Sequence, residues 1–182
     1  ETAKGTGCIL KGVCGKESHT AQAMDLLLFV VRGVSVVADV LRKADCPVSE
    51  EVNIFVTDAL FCTITNANFD DESILKRVDK GITMRNGLIQ EAKHNKVLLP
   101  KVDELTWQGT RDDYAGKAKT VGVLREQNED LRSLKELLVY GLKGMAAYLE
   151  HVMRLGFNDD TVHVFMQRAL ATIAVESLSA EE

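Results

Sequence analysis

The chain has 182 residues, with 22 Lys or Arg against 27 Asp or Glu, so its net charge at pH 7 is −5. Charges of both signs are scattered without a basic block that would follow a phosphate backbone, which argues against a nucleic-acid partner. The longest apolar run, Leu26 to Val31, falls far short of the roughly 20 residues needed to cross a bilayer. We therefore expect no membrane span, and the absence of a signal-peptide pattern predicts a cytoplasmic protein.

Six helices are predicted from apolar residues spaced three and four positions apart. In chain order they cover about residues 20–43, 49–66, 71–93, 111–121, 128–155 and 159–175. The first is apolar on nearly every face, so we expect it to be buried on most sides. The 128–155 segment has the most regular spacing, and we expect it to be the central helix. Because no strand pair or repeat is recognisable, the sequence predicts an all-α fold.

A linker is predicted at residues 95–110, where no helical period is sustained and Pro100 interrupts the chain. With this linker, the chain is predicted to have four parts. They are a cysteine loop at 1–18, a first helical group at 19–94, the linker itself and a second helical group at 111–182. We expect the two groups to form two packed helical bundles.

Two cysteines, Cys8 and Cys14, lie in a glycine-punctuated loop ahead of the first helix. The glycines of this loop are Gly5, Gly7, Gly12 and Gly15. They allow the backbone to fold closely around a bound group and to point N–H groups at it, as an anionic iron–sulfur cluster requires. Two thiols cannot saturate a metal, and paired loop cysteines are also typical of a buried pair or a local disulfide. Both interpretations stay open on these residues alone.

The remaining metal-ligand candidates are weaker. Cys46 follows a charged helix end and Cys62 lies on an apolar face, so both are interpreted as structural. Glu91 and His94 copy one half of a di-iron carboxylate motif, but the second half and the additional glutamates that such a site needs are missing. We therefore expect no di-iron site.

Four segments carry a resemblance to a known family. They are ETAKGTGCILKGVCGK at 1–16, DLLLFVVRG at 25–33, TITNANFDD at 63–71 and NEDLRSLKELLVYGLKGMAAYLEH at 128–151. In this order, over nearly the whole chain, they resemble the N-terminal helical domain of the hybrid-cluster proteins, also called prismane proteins or hydroxylamine reductases. The long 128–151 segment is the most specific of the four.

The resemblance implies a metal site at Cys8 and Cys14. They match the C-x₅-C half of a four-cysteine [4Fe–4S] ligand set, whose C-x-x-C half would lie just upstream of Glu1. It also implies that the hybrid iron–sulfur–oxygen cluster, at which hydroxylamine or nitric oxide is reduced, belongs to C-terminal α/β domains absent from this chain. No residue here then matches a catalytic position.

The function implied by the resemblance is electron transfer. The chain would accept electrons from a donor reductase and pass them to the missing C-terminal domains, and the isolated fragment would be inactive. The alternative is a helical packing or dimerisation module without a cluster. Apolar surface left exposed by the missing domains also predicts some self-association.

Overall fold

The computed structural model describes residues 7–8 and 10–174. Within them, the chain forms seven α-helices: α1 Ser18–Lys43, α2 Glu50–Cys62, α3 Asp71–His94, α4 Asp103–Thr106, α5 Tyr114–Val121, α6 Glu129–Arg154 and α7 Asp160–Ile173. The described residues contain no β-strand, only one isolated bridge between Lys11 and Glu17. The all-α prediction is confirmed. The end of the last predicted helix at Val175 lies outside the described residues.

Side-chain caps start three of the long helices. The caps of α3, α6 and α7 are Asp70, Asn128 and Asp159, and each accepts a hydrogen bond from a backbone N–H of its helix's first turn. Ser49 precedes α2 without making such a bond. Glu50 and Glu51 nevertheless occupy the first turn of α2, where the helix dipole favours negative charge.

Two local differences from the predicted helices have physical causes. α2 ends at Cys62, earlier than expected, and the turns that follow place Asn66 at a φ of 64°, which an α-helix does not accommodate. The predicted linker contains the one-turn helix α4. A helix of four residues is too short for apolar spacing to reveal.

The centre of the fold is α1, so the expectation that the 128–155 helix is central is wrong. Of the 26 residues of α1, 17 are buried, whereas α6 has the same length and buries five. α1 contacts α2, α3, α4, α5 and α7, while α6 packs mainly against α2. The regular spacing in α6 therefore indicates an apolar stripe along one side of the helix. It does not indicate how many sides of the helix are covered by other helices.

The buried apolar side chains form one contiguous cluster with members from all seven helices. Both predicted helical groups contribute to this cluster, and α4, inside the predicted linker, contributes Leu105. The proposed division of the chain near residues 95–110 stays a prediction. For the candidate site, the relevant consequence is that the cysteine loop leads directly into the most buried helix of the fold.

Candidate functional site

The cysteine loop brings the two predicted ligand residues together. A Cβ atom built on Gly12 would lie 3.2 Å from Cys14 Sγ and 3.5 Å from Cys8 Sγ. Both sulfur atoms thus converge on one side of Gly12, which is buried, while the two cysteines are half-buried. The structure forms no disulfide between them. A glycine at position 12 leaves the space beside the two sulfurs free of a side chain.

Hydrogen bonds within the loop fix its shape. The N–H of Gly12 donates to the carbonyl oxygen of Lys16 at 2.8 Å, and the N–H of Gly15 donates to the carbonyl oxygen of Gly12 at 2.9 Å. Gly15 has a φ of 91°, a left-handed conformation that favours glycine. These two N–H groups are used inside the loop and do not point at a bound cluster. Gly5 lies outside the described residues, so the wider expectation that loop N–H groups face a cluster stays a prediction.

Lys16 attaches the loop to the end of α2. This lysine is only 3% exposed, its Nζ donates to the carbonyl oxygen of Ile64 at 3.4 Å, and it lies 4.7 Å from the centroid of the Phe69 ring. The loop therefore carries a buried lysine two residues after Cys14 in the chain. Sequence analysis missed Lys16 because its partners are about 50 residues away.

The other two cysteines lie in different surroundings. The amide Nδ2 of Asn68 donates to Cys62 Sγ at 3.2 Å, and burial raises the pKa of the Cys62 thiol despite this bond. A thiol held protonated is a poor metal ligand. Cys46 Sγ donates to the carbonyl oxygen of Ala44 at 3.6 Å within its own turn. These contacts favour structural roles for both residues.

No complete metal site is present in the part of the chain that the structure describes, since no three His, Cys, Asp or Glu side chains there are grouped to hold a metal ion. Cys8 and Cys14 fit one side of an iron–sulfur cluster, because soft thiolates that converge are the ligands such clusters use. The fit is partial, with two of the four thiolates supplied. Likewise, none of the described helices is both long and apolar enough to span a bilayer.

The fold and the loop define an all-α domain with a two-cysteine site at the entry to its central helix. A model of the Prismane/CO dehydrogenase family matches residues 2–181. The chain therefore belongs to the Prismane/CO dehydrogenase family, which confirms the resemblance drawn from the sequence.

Curated relatives of the chain are named hydroxylamine reductases. The chain is 51% identical to the hydroxylamine reductase of Bacteroides thetaiotaomicron, 50% identical to that of Bacteroides fragilis and 46% identical to that of Porphyromonas gingivalis. Each match covers all of this chain but 33% of the relative. The chain thus spans about a third of the length of these relatives.

Proposed function

We propose that this chain is the iron–sulfur electron-transfer domain of a hydroxylamine reductase, with Cys8 and Cys14 as two of four ligands of a [4Fe–4S] cluster. When bound, the cluster supplies one-electron redox chemistry at the loop. The chain's own residues hold the two thiolates on one side of Gly12 and keep a cation at position 16 nearby. Hydroxylamine reduction itself is assigned to the polypeptide that the relatives carry outside the matched region, so the chain alone is inactive.

The observation that carries this proposal is the convergence of Cys8 Sγ and Cys14 Sγ on Gly12. Two structural cysteines need not face the same side of a glycine, whereas two ligands of one cluster must face the same metal group. The buried charge of Lys16 supports the proposal, because a cluster with four thiolates is anionic. A cytoplasmic location and an electron-donating reductase as partner belong to the same proposal.

The test uses the polypeptide extended to the length of its relatives and purified without oxygen. Cys8→Ser and Cys14→Ser are compared with the wild type and with Cys46→Ser, a cysteine variant outside the loop. We expect both loop variants to lose about four iron and four sulfide per chain, because a missing thiolate opens the cluster to solvent. Cys46→Ser should keep the wild-type content.

Two outcomes would contradict the proposal. Wild-type iron and sulfide content in both loop variants would show that the cysteines are not ligands and would favour a packing module without a cluster. Turnover of hydroxylamine by the 182-residue chain, above a control with free iron, would show that the chemistry does not need the additional polypeptide.

A further inference from the structure

The outer face of α6 has an unusual composition for a helix exposed to solvent. Its exposed positions from 133 to 152, all of them in the described part of the chain, are Ser133, Leu134, Leu137, Leu138, Tyr140, Gly141, Gly144, Tyr148, His151 and Val152. None of these is Asp, Glu, Lys or Arg. The face that a surface helix turns to water normally carries its charged residues. The outer face of α6 therefore has the composition of a buried surface.

The long helix α3 provides an internal comparison. Exposed positions of α3 include Glu72, Lys76, Lys80, Gln90 and Lys93, as expected for a face in water. The charged residues of α6 within the same stretch are all half-buried instead: Lys135, Glu136, Lys143 and Glu150. The difference between the two helices is thus the position of the charges around the helix and not the absence of charges from α6.

Apolar residues along α6 have the spacing that is typical of a helix packed against another helix. Leu134, Leu138, Gly141, Met145, Tyr148, Val152 and Leu155 succeed one another at alternating steps of four and three. This 3–4 spacing keeps a stripe in line with a neighbouring helix. Apart from their chain neighbours and the backbone of α6 itself, no described atom lies within 4 Å of a Cβ built on Gly141 or Gly144, so another backbone has room to approach.

A cavity of about 930 Å³ adjoins the outer face, and Tyr140 and Gly144 are among the residues that line it. Glu104 also lines this cavity and is 2% exposed. Its Oε1 lies 3.5 Å from Arg32 Nε and 3.6 Å from Arg125 Nη1, whereas its Oε2 has no hydrogen-bond partner within the described residues. A buried carboxylate oxygen without a donor is costly. The cavity therefore suits a protein segment that brings an N–H or cationic donor to Glu104.

We propose that the outer face of α6 and this cavity dock the polypeptide that the relatives carry outside the region matched here. The partner surface would present apolar side chains at 3–4 spacing and a hydrogen-bond donor to Glu104. The chain spans 33% of its relatives, so most of their polypeptide lies outside the region matched here. A broad uncharged face is typical of a permanent contact. The inference shares the longer polypeptide with the proposed function but does not depend on a cluster.

Photo-cross-linking in the polypeptide extended to the length of its relatives tests this contact directly. Tyr148 is replaced by p-benzoylphenylalanine, and the control places the same group at Leu98, which is 92% exposed and lies in the segment between α3 and α4. Irradiation is expected to join position 148 to peptides outside residues 1–182 and to leave position 98 largely unlinked. Links only between two copies of the protein, or no link from position 148, would overturn the proposal.

A charged substitution gives a second, independent test. Leu137→Glu is compared with Leu98→Glu in the 182-residue chain and in the longer polypeptide. In the longer polypeptide, Leu137→Glu should increase the rate of limited proteolysis about tenfold by populating an undocked state, whereas Leu98→Glu should not. Leu137→Glu should leave the melting temperature of the 182-residue chain unchanged. If Leu137→Glu destabilised the 182-residue chain as much as the longer polypeptide, the inference would be contradicted. Iron content is measured in parallel and reports on the proposed function separately.

Discussion

The guanidinium of Arg85 donates a hydrogen bond of 2.9 Å to the backbone carbonyl oxygen of Glu104, joining α3 to α4. A second bond of 2.8 Å reaches the carbonyl oxygen of Trp107. Arg85 is fully buried, and burial lowers the pKa of its guanidinium. The segment that sequence analysis assigned to a linker is therefore fixed to the core by a buried arginine that binds main-chain oxygens.

Replacement of Arg85 tests how much this anchoring contributes to stability. Arg85→Met keeps an apolar stem but leaves the two carbonyl oxygens without their donor, so we expect a loss of about 2–4 kcal/mol in the free energy of unfolding. Urea denaturation followed by circular dichroism measures it. The control is Arg154→Met, whose side chain is 70% exposed in an ion pair with Glu150. That change should cost less than about 1 kcal/mol.

Two helix glycines should respond in opposite directions to alanine. A Cβ on Gly33 would lie 2.5 Å from the carbonyl oxygen of Glu104, so Gly33→Ala should destabilise the fold by about 1–3 kcal/mol. Gly87, in α3, has no described atom within 4 Å of such a Cβ. Gly87→Ala should therefore raise stability by about 0.5–1 kcal/mol through better helix propensity. Chemical denaturation measures the free energy of unfolding of both variants. An equal change in the two variants would contradict the close packing around Gly33.

His163 makes the stability of the fold depend on pH. Its ring is buried, with Nδ1 3.2 Å from Thr57 Oγ1 and Nε2 2.8 Å from Asn158 Oδ1. Burial lowers the pKa of His163 below its ordinary 6.5, and the positive charge of Arg42 acts in the same direction. Three carboxylates oppose this shift: Asp160, Glu50 and Asp159.

Because the pKa of His163 is lower in the folded chain than in the unfolded chain, the unfolded chain takes up the proton first as the pH falls. The stability contributed by neutral His163 is complete above pH 6.5 and is lost as the pH falls through the folded-state pKa. Between pH 7.5 and about 5, we expect the unfolding free energy of His163→Gln to fall less than that of the wild type. A slope in His163→Gln equal to that of the wild type would contradict this prediction.

The cysteine loop should oxidise when no cluster is bound. Cys8 and Cys14 already face the same side of Gly12, and a glycine-rich loop can bring their α carbons to the roughly 4.4–6.8 Å that a disulfide requires. We expect exposure of the cluster-free chain to air to join these two residues, as read by peptide mass mapping without reduction. Cys62 should stay reduced because burial raises its thiol pKa. A disulfide that contains Cys62, or the absence of one between Cys8 and Cys14, would contradict this prediction.

Much of the helical structure was predictable because local side-chain spacing determines it. Predicted bounds for α1, α3 and α6 agree with the structure to within two residues. The position of each helix in the fold was harder to predict from the sequence. α6 has a regular stripe, yet it lies at the side of the fold, because burial depends on which partners are present and not on the helix alone.

The candidate site was predicted in part. The spacing of Cys8 and Cys14 indicated a common site, and the structure brings their sulfurs together. The N–H groups of Gly12 and Gly15 do not face a bound group as expected, because they complete the hydrogen bonds of the loop itself. Lys16 could not be recognised, since its burial depends on the distant Ile64 and Phe69.

The central position of α1 has a consequence for how the protein is made in the cell. Among the described helices, α1 is synthesised first, yet α7, which packs against it extensively, starts at Asp160. At about 5–20 residues per second, synthesis of the intervening residues takes about 6–24 s. During that time, the described helix with the most buried residues has not yet been covered by α7. We expect the nascent chain to depend on chaperones that hold apolar segments during translation.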